Sequence, residues 1–277
     1  MRYRKPCSNP RRTKFFVILA SVVLSLAVLA PLVSAEEKPE EDREWEFRVA
    51  PYSWFVSIDG DVTVKGRKAD VDADFSDVWD ELNIAAMVTF DARKGNWGFL
   101  GDALYADLGK KRSVGGIDID PSVKLMWLTA GGFYRFGTWK LSDTAGKDVP
   151  AVTVDGLFGA RYTHIDVNLD IKGFRNRSGD KNWLDPLVGA RADFDLSEHW
   201  TLSLLGNVGG FGVGSDFTWE TLGGIGYRFR LFSKENNARA VGGYRAVHQD
   251  YTDGSGNDKF EWDVTLHGPI LGIVIEF

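Results

Sequence analysis

The sequence predicts an all-β fold, an antiparallel transmembrane β-barrel of about ten strands preceded by a signal peptide. Three observations favour it: a basic and apolar leader, repeated segments of alternating polarity, and a final segment, HGPILGIVIEF, with one apolar face. In that segment Leu271, Ile273, Ile275 and Phe277 occupy every second position, so one face of the strand contacts an apolar medium. A closed barrel pairs both edges of such a strand, whereas the alternative, a soluble β-sandwich, leaves one edge exposed.

Residues 1–35 are predicted to form a cleaved secretory signal peptide. Residues 1–14 contain six basic residues and no acid, an apolar run extends from Phe15 to Val33, and the small residues Ser34 and Ala35 follow. The length of the run leaves an uncleaved anchor helix as the alternative. We assign residues 36–44 to an N-terminal periplasmic segment and residues 45–277 to the barrel. The one cysteine, Cys7, lies in the leader, so the remainder cannot form a disulfide.

The charge and composition of the chain after the leader exclude several classes of protein. Its 27 basic and 39 acidic residues give a net charge of −12. This value argues against a nucleic-acid partner, because phosphate binding requires a basic surface. Aromatic residues are too frequent for a disordered chain. After residue 35 the sequence has no apolar run of ten residues, so any membrane crossing is made by strands.

Ten segments have the length and alternation of membrane strands, which place apolar side chains toward lipid and polar ones inward. In chain order they are residues 45–58, 83–93, 97–108, 121–136, 150–166, 184–195, 199–213, 216–230, 238–251 and 259–277. Short connections at 94–96, 197–198 and 233–237 predict periplasmic turns. The longer connections, above all 59–82, predict outer loops.

The later strands alternate most clearly and predict which residues face lipid. The set expected to face lipid comprises Val188, Phe194, Trp200, Leu202, Ile225, Tyr227, Ile273 and Ile275. In the last strand, the apolar residues of 260–266 fall on even positions, but those of 271–277 fall on odd ones. A β-bulge at Gly268-Pro269 that switches the facing would explain this change.

Tryptophans near the predicted strand ends indicate two interfacial girdles of aromatic residues. Trp45, Trp97 and Trp200 fall at the predicted periplasmic ends. Trp183, Trp219 and Trp262 fall near the predicted outer ends.

Three segments, ARKGNWGFLGDALYADL, GNVGGFGVGSDFTW and HGPILG, together with the aromatic final residue, carry a family resemblance. The chain resembles a family of small proteobacterial outer-membrane β-barrel proteins that is loosely similar to the OmpA and OmpW group. The resemblance covers most of residues 45–277. It implies the barrel fold and an outer-membrane location, and it implies no activity.

Charged residues of both signs occupy the positions expected to face the barrel interior. Because buried charges need partners, we predict a paired network in the lumen. Its basic members Arg191, Arg228 and Arg245 are expected to meet acids of neighbouring strands, chiefly Asp193, Glu220, Glu261 and Asp263. A filled lumen favours a structural or surface-interaction role, and a narrow channel for small solutes is the alternative. The predicted network comprises Asp91, Arg93, Asp102, Arg135, Arg161, Arg191, Asp193, Glu220, Arg228, Arg245, Glu261 and Asp263.

The acidic segment 70–81 has aspartates at the spacing of a calcium-binding loop, but Phe75 stands where that loop needs glycine. We therefore predict a strand extension followed by a short helix capped by Ser76, and binding of divalent ions by this segment stays open. His248 with Asp250, and a similar pair at 164 and 166, leave a rim-site hydrolase as a second alternative. No catalytic, metal-binding or cofactor-binding residue is assigned.

The predicted location is the outer membrane, and the expected partners follow from it. They are outer-membrane lipid, lipopolysaccharide and the barrel-assembly machinery. That machinery is expected to recognise the final strand through Leu271, Ile273, Ile275 and Phe277. Nucleic acid is not an expected partner.

Overall fold

The computed structural model describes residues 44–109, 112–114, 117–141, 150–171, 177–230 and 237–277. The predicted signal peptide and nearly all of the 36–44 segment lie outside the described residues. Within these ranges, no helix is long and apolar enough to cross a bilayer. The elements are β1 (Trp45–Trp54), β2 (Ser57–Val64), β3 (Arg67–Ala73), α1 (Phe75–Glu81), β4 (Leu82–Lys94), β5 (Trp97–Gly109), β6 (Arg112–Val114), β7 (Ile117–Lys140), β8 (Ala151–Ile171), β9 (Arg177–Asp195), β10 (Trp200–Gly209), β11 (Phe217–Arg230), β12 (Asn237–Asp253) and β13 (Phe260–Glu276).

The strands of the described chain form one antiparallel sheet that closes on itself. Around the wall the order is β1, β4, β5, β7, β8, β9, β10, β11, β12 and β13, and β13 pairs again with β1. β2 continues β1 along the same partner, because Trp54 pairs with Ile270 and Ser57 pairs with His267 in one register. The predicted ten-stranded antiparallel barrel is therefore confirmed. Its longest strands, β7 to β9, extend well past their predicted ends.

The predicted loop at 59–82 is instead a β-hairpin followed by a helix. β2 and β3 pair from Ile58 with Ala73 to Val64 with Arg67, so the expected strand extension is present. The expected cap is wrong by two residues, since α1 starts at Phe75 and its N-cap is Asp74. Capping is by the backbone: the Asp74 carbonyl accepts hydrogen bonds from backbone amides of the first turn.

The two ends of the barrel differ in their connections. We call the end with the short turns at 95–96 and 196–199 the turn end, and the opposite end the loop end. Trp45, Trp97 and Trp200 are exposed on the outside of the turn end, as an aromatic girdle requires. Phe277 also lies there, and its backbone exchanges two hydrogen bonds with Phe47.

An apolar belt surrounds the barrel next to the turn end. Residues that pair directly across antiparallel strands share a face, so the register fixes the facing of each side chain. The eight residues expected to face lipid all lie on the outer face, which confirms that prediction. The belt identifies a transmembrane barrel. It includes Phe47, Ile84, Val88, Phe90, Phe99, Leu128, Phe158, Leu184, Val188, Leu204, Ile225, Tyr244, Leu271 and Ile273.

Above the belt, polar and apolar side chains exchange faces on four strands, β12, β13, β2 and β3. The pairing of β12 with β13 is continuous from Asp253 with Phe260 to Asn237 with Glu276, so the predicted β-bulge at Gly268-Pro269 is wrong. The even-numbered apolar residues of 260–266 are buried inside the barrel, and the odd-numbered polar ones face out. The reason is the surrounding medium: these strands continue beyond the bilayer, where the outer face meets water and the inner face is apolar.

Candidate functional site

The barrel interior contains four layers between the turn end and the loop end. Nearest the turn end is the lower charge cluster, formed by Asp91, Arg135, Asp155 and Arg191. Asp155 is almost fully buried and accepts bonds from Arg135 Nε at 2.8 Å and from Arg191 Nη2 at 2.9 Å. Arg191 Nη1 donates to Asp91 at 2.6 Å, and the Arg191 guanidinium lies 4.8 Å from the Phe133 ring centroid. This cluster links strands β4, β7, β8 and β9 across the lumen.

The second layer is a ring of inward aliphatic side chains around two adjoining cavities. The larger cavity has a volume of about 260 Å³ and the smaller one about 140 Å³. Both are lined by Arg191, Arg239, Leu205 and Leu222. The smaller cavity adds Arg48, so it lies nearer the turn end. The aliphatic residues that line the larger cavity include Leu100, Leu157, Leu187, Leu205, Leu222 and Val241.

The third layer, the upper charge cluster, consists of Asp102, Arg161, Glu220 and Arg245 with Tyr52. Glu220 forms ion pairs with Arg161 and, at 2.8 Å, with Arg245. Arg245 also pairs with Asp102 at 2.7 Å, and the Tyr52 hydroxyl donates to the same carboxylate at 2.9 Å. The side chains of Arg161, Glu220 and Arg245 are at most 6% exposed. Two carboxylates thus balance two guanidinium groups, as the cost of burying charge requires.

The fourth layer, the interior apolar cluster, occupies the loop end above the upper charge cluster. The two layers meet directly, because the Arg161 guanidinium lies 5.3 Å from the Trp127 ring centroid and Arg245 lies 5.0 Å from that of Trp54. Trp183 and Trp262 also belong here, so their predicted place in an outer girdle is wrong. The cluster consists of Trp54, Leu104, Leu125, Trp127, Ile165, Trp183, Val247, Phe260, Trp262, Val264, Leu266 and Ile270.

The structure places ten of the twelve predicted network residues on the interior face. Beyond the two clusters, Arg93 pairs with Glu46, and Asp193 accepts a bond from the Ser203 hydroxyl at 2.6 Å. Arg228 lies at the turn end and pairs with Asp195 at 2.6 Å, an acid that the prediction did not include. Arg245 meets Glu220 as expected, whereas Arg191 meets Asp91 and Asp155 and not the acids expected for it.

Glu261 and Asp263 lie outside the barrel, so their assignment to the lumen is wrong. The assignment assumed that the apolar face of the last strand contacts lipid throughout, but this part of the strand stands above the belt. The Thr63 hydroxyl and the Lys259 ammonium both bond to Glu261. The Lys259 ammonium and then the Thr63 hydroxyl hold the pKa of this carboxyl below its usual range.

The sequence interpretation missed buried charged residues of the interior, among them Asp185 and Arg239. Asp185 is fully buried and accepts bonds from the amide and hydroxyl of Ser215, which fixes the 210–216 connection. Arg239 is 8% exposed and lines both cavities. Asp185 lies an even number of residues from Arg191 on β9, and Arg239 lies an even number from Arg245 on β12. Each therefore points inward like its neighbour, and the alternation of the strand would have identified it.

The outer polar face is the exposed surface above the belt, formed by the outward residues of β2, β3, β12 and β13. His248 lies on it, with Nδ1 3.2 Å from Thr265 Oγ1 and Nε2 3.8 Å from Asp263. Within the part of the chain that the structure describes, no group of three or more acidic, histidine or cysteine residues could hold a metal ion. The residues of this face include Asp59, Asp61, Thr63, Lys68, Asp70, Asp72, His248, Asp250, Glu261, Asp263, Thr265 and His267.

No family model matches the chain, and no curated protein matches it significantly by sequence. Among solved structures it is similar to Ail, the attachment invasion locus protein of Yersinia pestis, crystallised with sucrose octasulfate. That match has 16% identity and a TM-score of 0.36, and it covers 84% of this chain and 99% of Ail. Neisserial surface protein A matches with 14% identity and a TM-score of 0.29, covering 84% and 97% of the two chains. The translocator domain of NalP from Neisseria meningitidis matches with 11% identity and a TM-score of 0.32, covering 96% and 98%.

These neighbours belong to the class that the sequence resembles, the outer-membrane β-barrels of Gram-negative bacteria. The fold assignment follows from the strand order and from the apolar belt.

Proposed function

We propose that this protein is an outer-membrane β-barrel with a closed lumen and a structural and surface-interaction role. The turn end faces the periplasm, and the outer polar face stands above the bilayer, in the sugar region of lipopolysaccharide. The observation that carries this proposal is the filling of the lumen. The upper charge cluster and the interior apolar cluster lie one above the other, and buried side chains occupy the cross-section at both levels.

Conductance in planar bilayers tests closure against the alternative of a narrow channel. We expect refolded wild-type protein to give no discrete current steps, because solutes cannot pass the two filled layers. Arg245→Ala combined with Trp54→Ala should give small current steps, since the two changes remove adjoining side chains from both filled layers. Arg228→Ala is the matched control, because this residue pairs at the turn end and not in the filled layers. Ion-selective steps from the wild type would contradict the closed lumen and support the channel.

We further propose that β13 carries the signal for the barrel-assembly machinery. Leu271, Ile273 and Phe277 support this role, because they are exposed on the outer face of the strand that closes the barrel. Phe277→Ala should lower the amount of folded protein in outer membranes several-fold, measured by heat-dependent migration on gels. Glu276→Gln is the control, since it leaves the apolar face unchanged. Equal amounts of both variants and wild type would reject the role of Phe277.

A further inference from the structure

Arg239 has an unusual position for a buried guanidinium group. It is 8% exposed, and its Nε is buried without a hydrogen-bond partner. Among the described residues it has no ion pair within 4.0 Å, whereas Arg161, Arg191 and Arg245 all have one. A buried cation without a close partner is costly, so its retention needs an explanation.

The neighbouring acids are already engaged with other groups. Asp91 pairs with Arg191 at 2.6 Å, and Asp193 accepts the Ser203 hydroxyl at 2.6 Å. Glu276 lies 3.5 Å from Arg48. Arg239 itself lines both interior cavities, so a ligand in that space lies against its side chain.

The larger cavity has an apolar wall, and its volume limits the size of the ligand that it can hold. Leucine and valine side chains of β8 to β12 surround it between the two charge clusters. An engineered cavity of about 150 Å³ holds benzene, which has six heavy atoms. By that scale, a cavity of about 260 Å³ holds a molecule of roughly ten heavy atoms.

We propose that the interior cavity binds a small amphipathic carboxylic acid of about this size. Its carboxylate accepts hydrogen bonds from Arg239, and its apolar body lies against the ring that includes Leu205 and Leu222. Arginine suits this role, because its planar fork binds carboxylates in two places and stays charged. We expect entry from the periplasm through the smaller cavity, which lies nearer the turn end. This binding role goes beyond the closed structural barrel and does not require conduction.

Titration calorimetry of refolded protein in detergent tests the proposal, with benzoate as the probe. Benzamide tests the need for negative charge, and inorganic phosphate tests the need for the apolar body. We expect saturable binding of benzoate only. Arg239→Met should weaken it at least tenfold, and Leu222→Phe should also weaken it by filling the cavity. Arg228→Met is the matched control: it faces Arg239 across β11 and β12, lines neither cavity and should bind like wild type.

Several results would overturn the proposal. They are absence of saturation in the wild type, unchanged affinity in Arg239→Met, and phosphate or benzamide binding as tight as that of benzoate. If Arg239→Met does not fold, Arg239→Lys replaces it, since a lysine keeps the charge and loses the fork. We then expect weaker binding of benzoate, and unchanged affinity counts against the site. The conductance experiment is independent, so failure of one proposal leaves the other standing.

Discussion

Replacing Glu220 by glutamine should strongly destabilise the barrel. The substitution keeps the shape of the side chain and removes its charge. Arg245 retains Asp102 as a charged partner, but Arg161 loses the carboxylate of Glu220 and keeps the hydrogen bond to Thr129 and the face of Trp127. Because Arg161 is 1% exposed, the substitution leaves a buried cation unpaired. Breaking a buried ion pair in this way costs about 3–5 kcal/mol.

Urea unfolding in lipid vesicles, followed by tryptophan fluorescence, measures this loss. Combining Glu220→Gln with Arg161→Met should recover most of the lost stability, because the unpaired cation is then absent. Asp253→Asn serves as the control. It breaks the half-exposed pair with Lys181 and should cost about 1 kcal/mol or less. The reasoning is refuted if Glu220→Gln unfolds within about 1 kcal/mol of wild type.

Three further predictions concern the outer surface. Ile225→Arg places a charge on the apolar belt and should cost about 2–4 kcal/mol in the same unfolding assay if the residue lies at the midplane. Trp79 is exposed on α1 and packs with Phe55, so we expect this face of α1 to contact the membrane interface. A fluorophore on Trp79→Cys should then be quenched by spin-labelled lipid more than one on Asp80→Cys. Equal quenching would show that this face of α1 does not contact the interface. On intact cells, Asp263→Cys should react with an impermeant thiol reagent and Val264→Cys should not, and the reverse would restore the predicted β-bulge.

The sequence predicts the wall of this barrel well because alternation is a local property. The central parts of the strands, the short turns after Lys94 and Asp195, and the facing of Arg191 and Asp193 follow from period two along a single strand. The ion-pair partners of those charges cannot be predicted in this way, because they depend on the register between strands. Arg191 meets Asp91 from the opposite part of the chain, a pairing that no local pattern indicates.

The misplacement of Glu261 and Asp263 has a different physical origin. Alternation shows that one face of a strand is apolar, but it does not show whether that face is inside or outside. Within the bilayer the outside is lipid, and above it the outside is water. β13 passes through both media, so its apolar side chains change sides near Pro269 while its backbone register stays unchanged. The height of the bilayer on the barrel is therefore the missing information.

The seam between β1 and β13 has a consequence for how the chain can be rearranged. Trp45 and Phe277 lie at the turn end on neighbouring strands, in the same relation as two strands joined by a turn such as that between β4 and β5. A short linker across the seam, with new termini opened between Lys94 and Trp97, gives a circular permutant with the same wall. That chain starts at β5 and ends at β4, so Phe277 moves to an interior position in the sequence. Its folding in detergent and its assembly in cells would then separate the energetics of a closed ring from recognition of a terminal aromatic strand.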